Sequence, residues 1–298
     1  MKIVENKVLV TGGAGFIGSS LICELLSRHD NINIISLDNY FTGNKKNHII
    51  DSRVTYIEGN TWDIDKLIDS DVEVIFHFGE YSRIVSSFKD IDYVLKANGY
   101  GTKKVINFCS KNNIKLIYSA SSSKFGDGGK DENLSPYSWT KAKNVELIKN
   151  FGDWYSLKYE IVYFYNVYGP KQIMAGDYKA VIGIFENQYR NGESLTVVSP
   201  GTQSRDFTHI SDIINGIIMV MEKGFNEEYM LGTGKNWRLI DVASMFTEDW
   251  VLIPERRGER LSSIILDNKN TSRLGWEPKI NLKDYIEKIK FSNENNNL

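Results

Sequence analysis

Cysteine is scarce in this 298-residue chain: only Cys23 and Cys109 occur, with no Cys-x-x-Cys. That excludes a zinc ribbon and a disulfide-stapled scaffold, and it fits a reducing compartment. The four histidines, His29, His48, His77 and His209, are too far apart in sequence to read as a ligand pair, so no metal is expected. Charge of one sign is also missing. Lys and Arg number 36 against 38 Asp and Glu, a net charge of -2. A protein that wraps nucleic acid would carry a basic excess, and so would a polybasic membrane anchor. No apolar run approaches the ~18 residues of a membrane span. The chain enters a strand-like run at Lys7–Val10 with no signal-peptide pattern before it, so a cytoplasmic location is expected. No internal repeat or low-complexity linker is visible.

What is present is ordinary soluble composition, 41% hydrophobic and 25% charged. The length is that of about two domains or of one large α/β unit. Short runs rich in Val, Ile, Tyr and Phe recur at Lys7–Thr11, Ile32–Leu37, Val54–Ile57, Val72–Phe78, Ile114–Ser119 and Glu160–Tyr165. They are apolar through most of their length, as strands buried on both faces are. Helical patterns separate them, chiefly Gly15–Arg28, Ile91–Lys111 and Tyr137–Leu157. This alternation predicts an α/β fold with a Rossmann-type doubly wound parallel sheet. After about residue 166 glycines punctuate shorter elements, which predicts a smaller mixed α/β C-terminal lobe. The expected division is 1–166 for the first lobe, rejoined by about 207–232, and 167–298 mainly for the second. Residues 211–223 read as an amphipathic helix, and Ser292–Leu298 as a frayed tail.

The first strand runs into Thr11-Gly12-Gly13-Ala14-Gly15-Phe16-Ile17-Gly18 and the first helix. Gly12 permits a sharp turn, Gly15 lets a pyrophosphate approach the backbone, and Gly18 lets the helix pack closely. The helix N-terminus offers free N–H groups to phosphates. Asp38 stands 20 residues past Gly18, after the second strand. An acid there accepts from a ribose 2′-hydroxyl and repels a 2′-phosphate, so NAD is expected rather than NADP.

Tyr137-Ser-Trp-Thr-Lys141 puts a phenol and an ammonium one helical turn apart. The cation favours the phenolate, which suits Tyr137 to general acid–base work. Tyr100-Gly-Thr-Lys-Lys104 satisfies the same spacing, but it lies mid-helix. Tyr137 instead follows Pro136 at a helix start, shortly after a strand ending in Ser121.

Taken together these motifs resemble the extended short-chain dehydrogenase/reductase family, and within it the nucleotide-sugar epimerases and dehydratases. The resemblance also draws on Asn98 before Gly101-Thr102, on Tyr165-Asn166-Val-Tyr-Gly-Pro170, on Arg205-Asp-Phe207 and on Leu274-Gly-Trp276-Glu-Pro278. It covers about residues 7–290. It implies that Gly12, Gly15, Phe16, Ile17, Gly18, Asp38 and Asn39 hold NAD, with Asn98 and Lys141 at the nicotinamide end. It implies Tyr137 as catalytic acid/base, Lys141 as its partner and Ser121 as holder of the reacting hydroxyl, beside Ser122. Asn166, Arg205 and Arg256 would contact the substrate diphosphate, which two arginines and an amide suit. The alternative for Arg205 is a structural pair with Asp206 or Asp212.

Three departures stand out. Asn60-Thr61 replaces the Asp and aliphatic residue that usually meet adenine, so the Asn amide is expected to take over. Phe78-Gly79-Glu80-Tyr81-Ser82-Arg83 replaces a run of small residues. Phe78 and Gly79 are expected beside the cofactor; Glu80, with Tyr81 and Arg83, either shapes the sugar site or plugs a wider cleft. Tyr137 comes only 16 positions after Ser121, so Gly126–Gly129 reads as a shortened turn. After Ser121 come Ser122, Ser123 and Lys124, where a 4,6-dehydratase would carry an acid and a decarboxylase a Glu. C4 epimerisation of a UDP-sugar through a 4-keto intermediate is therefore the expected reaction. A 4,6-dehydratase using Lys124 or Asp127 is the alternative, and a non-catalytic NAD-binding module is a second. Small residues at Ser262-Ser263 would leave room for an N-acetyl arm. A homodimer through helices 91–111 and 137–157 is expected from relatives, the rival being that their apolar faces cover the chain's own sheet.

Overall fold

The computed structural model describes residues 6–126, 131–174, 176, 178–262, 265 and 268–296. Seven strands form one sheet: β1 (Asn6–Thr11), β2 (Ile32–Asp38), β3 (Val54–Glu58), β4 (Val74–His77), β5 (Lys115–Ser121), β6 (Tyr159–Phe164) and β7 (Glu228–Leu231). Their spatial order is β3-β2-β1-β4-β5-β6-β7, and every neighbouring pair is parallel. The doubly wound α/β expectation holds. The order reverses between β1 and β4, and a sheet of this kind opens its ligand crevice there, at the carboxyl ends of the strands.

Helices cover both faces, because strands apolar on both sides must be buried on both. On one face lie α1 (Phe16–Arg28) and α4 (Ile210–Lys223), contributing Ile22, Leu25, Ile213 and Ile217 to one core. On the other lie α2 (Thr102–Asn112) and α3 (Pro136–Tyr155), contributing Val105, Ile106, Val145 and Ile148 to a second. The faces expected to pair across a dimer are thus largely spent inside the chain, although Leu95 stays exposed. A π-helical stretch, Leu95–Gly101, leads into α2. Gly101 faces Thr61 there, and an added Cβ would come within 2.5 Å of its hydroxyl.

The chain leaves the sheet after β6, returns to it with α4 and β7, and leaves again. The intervening and following segments build a smaller lobe. Leu195–Val198 pairs parallel with Trp250–Ile253, and Ser204–Asp206 antiparallel with Asn236–Arg238. Helices Val181–Arg190, Leu239–Phe246 and Leu282–Asn296 enclose Phe185, Val197, Val242, Phe246 and Ile286. The tail expected to fray from Ser292 is instead helical through Asn296. Leu282, Ile286 and Ile289 bury one face of that helix, which anchors it as it extends into polar sequence. Among the described residues no helix is long and apolar enough to cross a membrane.

Candidate active site

The glycine loop turns where the sequence places it. Gly12 has φ +72°, a conformation glycine adopts without strain. A Cβ on Gly18 would stand 2.2 Å from the Gly12 carbonyl oxygen, so α1 can sit this close only with glycine. No side chain caps α1 and no acid lies in its first turn. Its free N–H groups therefore have no intrahelical or capping partner and favour an anion. Asp38 ends β2 with its carboxylate buried. One oxygen accepts from the Ala14 N–H at 2.9 Å, the other from the Tyr40 N–H at 2.8 Å. Burial pushes this carboxyl up, against the pull of those two N–H groups. Each oxygen keeps a lone pair for a ribose hydroxyl.

A cleft of about 470 Å³ runs from this loop to the smaller lobe. Gly12, Gly15, Phe16, Ile17, Gly18, Asp38, Asn39, Thr61, Phe78 and Gly79 line one end; Ser121, Ser122, Tyr137, Lys141, Asn166, Arg205 and Arg256 line the remainder. An uncapped helix end, a cradle that a single Cβ would fill and an acid after β2 fit a dinucleotide. Phe41, Trp62 and Tyr93 also line the cofactor end, with Phe41 stacked on Tyr93 at 4.3 Å.

The catalytic pair owes its place to a helix start. Ser135 Oγ accepts from the Ser138 N–H at 3.1 Å and Pro136 opens α3. Tyr137 therefore sits in the first turn, half-buried and facing the cleft, and Lys141 one turn on. Ser121 ends β5; its Oγ accepts from the Ser123 N–H at 3.2 Å and the Ser123 hydroxyl at 2.9 Å. The rival Tyr100–Lys104 pair has no such setting. Tyr100 is 51% exposed, and Lys104 pairs with Asp65.

Glu80 requires a correction. It was expected to shape the sugar site or to plug a wider cleft; its side chain is 1% exposed and forms an ion pair with Lys141, itself 5% exposed. Its other oxygen accepts from Thr102 Oγ1 at 2.8 Å, Asn144 Nδ2 at 2.9 Å and the Tyr118 hydroxyl at 3.1 Å. Lys141 also donates to the Ser119 carbonyl at 2.5 Å. The reason is chemical: a carboxylate that finds an ammonium and three neutral donors in the interior can stay charged there. Beneath it His77 is held neutral, pushed down to about 4 by burial. Thr11 Oγ1 lies 2.8 Å from His77 Nδ1, and Thr102 Oγ1 lies 2.9 Å from Nε2. Thr102 donates to Glu80, so it must accept from Nε2–H, and Thr11 donates to Nδ1.

Two further residues expected at the cofactor stand back from the cleft. Asn98 is fully buried and does not line the cleft. Its Oδ1 accepts from the Tyr81 N–H at 2.7 Å and its Nδ2 donates to the Tyr81 carbonyl at 3.0 Å, a clamp on the segment after β4. Asn60 accepts from Asn39 Nδ2 at 2.9 Å rather than lining the cleft; Gly59 and Thr61 on either side line it instead.

At the far end Asn166 Nδ2 donates to the Asp206 carbonyl at 2.8 Å. Arg205 pairs with Glu259 at 2.9 Å, not with Asp206 or Asp212. Burial, with Arg260 adding to it, pulls the Arg205 guanidinium down to about 10. Arg256 is exposed at the cleft edge. The sequence reading stopped short of Arg260, which also lines the cleft and reaches Ser122 Oγ at 3.5 Å. Only a residue count past Gly258-Glu259 could have suggested it. Lys124 turns away, toward Tyr163 at 3.3 Å and Glu228 at 3.9 Å. The shortened turn beyond Gly126, with Asp127, lies outside the described residues, and so does Ser263.

The NAD dependent epimerase/dehydratase family profile matches residues 8–232. The chain belongs to that family. A Methanocaldococcus jannaschii protein carrying the provisional name UDP-glucose 4-epimerase is 33% identical, over 97% of this chain and 99% of that protein. Among solved structures, Thermotoga maritima UDP-glucose 4-epimerase with UDP-glucose superposes with a TM-score of 0.86 at 26% identity, covering 97% of this chain and 99% of that one. A Methanobrevibacter ruminantium UDP-N-acetylglucosamine 4-epimerase in complex with UDP-N-acetylmuramic acid gives 0.85 at 26% identity, with 98% and 99% covered. This member of the NAD-dependent epimerase/dehydratase family thus carries a glycine loop at the carboxyl end of β1, together with a buried Glu80–Lys141 pair.

Proposed function

We propose that the protein is an NAD-dependent 4-epimerase of a UDP-sugar. One observation carries the reading. Tyr137, Lys141 and Ser121 share a cleft with the glycine loop and with Arg205 and Arg256, while every carboxylate lining that cleft among the described residues is already held. Asp38 is bound to backbone N–H groups, Glu80 to Lys141 and Glu259 to Arg205. Among the described residues none is left beside Ser121 to remove water across C5–C6, as a 4,6-dehydratase requires.

The chain's own groups divide the work as follows. The α1 N-terminus and Gly12, Gly15 and Gly18 would hold the pyrophosphate of NAD, and Asp38 an adenosine ribose hydroxyl. When bound, NAD supplies a reversible hydride acceptor for C4. Ser121 would hold the sugar 4-hydroxyl, and Tyr137 would take its proton as C4 is oxidised. Arg205, Arg256 and Asn166 would grip the diphosphate. That grip leaves the 4-keto sugar free to turn about the diphosphate linkage, and Tyr137 returns the proton as C4 is reduced on its other face. Glu80 and the Ser119 carbonyl hold Lys141 in place one helical turn from Tyr137.

The test is incubation with a panel of nucleotide sugars, followed by mass spectrometry and NMR. A C4 epimer of unchanged mass supports the reading; loss of one water assigns the dehydratase instead. No conversion of any sugar, with NAD retained, would leave a binding module.

A further inference from the structure

Two arginines that line the cleft together with Tyr137 have no carboxylate bonded to either among the described residues. Arg260 is 7% exposed; its Nη2 reaches only Ser122 Oγ, and its Nε and Nη1 have no hydrogen-bond partner. Arg83 gives Nε to the Tyr178 carbonyl at 2.5 Å and Nη1 to the Ser82 carbonyl at 2.9 Å and the Ser82 hydroxyl at 3.3 Å. Both line the cleft, and the Tyr137 phenol lies within electrostatic reach of each. They arrive from different parts of the chain, Arg83 after β4 and Arg260 from the smaller lobe.

The local charge can be counted. Glu80 cancels Lys141. Glu259 faces Arg260 but is bonded to Arg205. Asp131 also faces Arg260. Arg83 and Arg260 are thus two cations against one carboxylate, Asp131, that faces Arg260 without being bonded to Arg205, among the described residues. Guanidinium N–H groups buried without an acceptor are costly. Neutral sugar hydroxyls compensate them weakly, whereas a carboxylate compensates them with short charge-assisted bonds.

We propose that the sugar taken by this site carries a carboxylate, bound by Arg260 together with Arg83. The inference rests on the reading that Tyr137 meets a UDP-sugar. It concerns the acid alone, whether at C6 of a uronic acid or on a lactyl arm at C3.

Calorimetric titration of the NAD-loaded protein tests it, with UDP, UDP-glucose, UDP-glucuronic acid and UDP-N-acetylmuramic acid as ligands. One of the two acids is expected to bind about tenfold or more tightly than UDP-glucose. Which acid wins locates the carboxylate. Arg260→Gln should remove most of that preference and change UDP affinity less than about threefold, and Arg83→Met should reduce the preference as well. UDP-glucose binding as tightly as both acids overturns the proposal. So does an Arg260→Gln variant that weakens UDP as much as the acid, because Arg260 is then a diphosphate ligand. The comparison on the unaltered protein decides even if neither variant folds. If UDP itself does not bind, the UDP-sugar reading falls and this inference with it; if UDP binds without preference for an acid, only this inference falls.

Discussion

Replacing Glu80 by Gln keeps the shape of the side chain and removes its charge. The surroundings then become inconsistent. One Glu80 oxygen accepts from Thr102, Tyr118 and Asn144, and the other from Lys141. A glutamine offers one acceptor and one donor. If its oxygen faces the three neutral donors, its amide NH2 points at the Lys141 ammonium. If its oxygen faces Lys141, the NH2 meets the three donors. In either pose a donor meets a donor in the interior, and Lys141 keeps a charge with no counter-ion. Breaking a buried pair by removing one partner costs about 3–5 kcal/mol. Glu80→Gln should therefore lose about that much stability in urea unfolding, with NAD held at one fixed concentration. Lys141→Met leaves the carboxylate with its three neutral donors, so it should cost less, about 2–3 kcal/mol. The double variant should be no less stable than Glu80→Gln alone, a coupling of about 2 kcal/mol or more. Additivity within about 0.5 kcal/mol would refute the argument, since the two groups would then not act as one buried pair.

Four further outcomes are expected. Gly18→Ala puts a Cβ 2.2 Å from the Gly12 carbonyl, so α1 must shift; the variant should purify without NAD, read from the absorbance of the denatured supernatant, and lose about 1–3 kcal/mol. Tyr137→Phe should lower kcat by about 10²–10⁴ while UDP affinity, measured by titration, holds within about twofold. His77 is neutral in the fold and held down to about 4, whereas an unfolded histidine protonates near 6.5. Its contribution is therefore full above pH 6.5 and is lost as pH falls toward 4, a total of about 3 kcal/mol; His77→Gln should flatten that part of the urea-midpoint profile. We propose a homodimer as well, carried by the exposed Ile91, Leu95 and Trp139 rather than by the buried faces of their helices; Leu95→Asp with Trp139→Asp should give a monomer in sedimentation velocity, and a wild-type monomer at micromolar concentration rejects the proposal.

Local chemistry was legible and long-range partnership was not. Gly12, Gly15, Gly18 and Asp38 could be read because a strand, a turn and a helix set their geometry within one stretch of chain. Tyr137 and Lys141 could be read because Ser135-Pro136 starts a helix and fixes their common face. Glu80 read as a residue that could shape the sugar site because it follows a strand. What buries it is four donors from elsewhere, Thr102, Tyr118, Lys141 and Asn144, which no local pattern brings together. Asn98 sits near the cleft in sequence logic, but the backbone of Tyr81 uses up its amide. Arg260 meets Ser122 across 138 residues of chain. The C-terminal helix outran its polar composition because packing of Leu282, Ile286 and Ile289 overrides weak propensity.

Composition hid the charge that matters in a second way. A net -2 says only that cations and anions balance over the chain. Within the cleft they do not balance evenly. Lys141, the cation the motif advertises, is neutralised by Glu80 before any ligand arrives. Discrimination by charge therefore passes to the arginines, which hold their charge at any working pH. Arg205 has Glu259 beside it, and Arg256 lies at the exposed edge. Among the described residues Arg260 and Arg83 lack a bonded counter-ion, and both line the cleft with Tyr137. A neutral Lys–Glu pair and arginines without a bonded carboxylate among the described residues amount to one arrangement in the proposed reaction: the cation of the catalytic motif is cancelled, and the arginines keep theirs for the substrate.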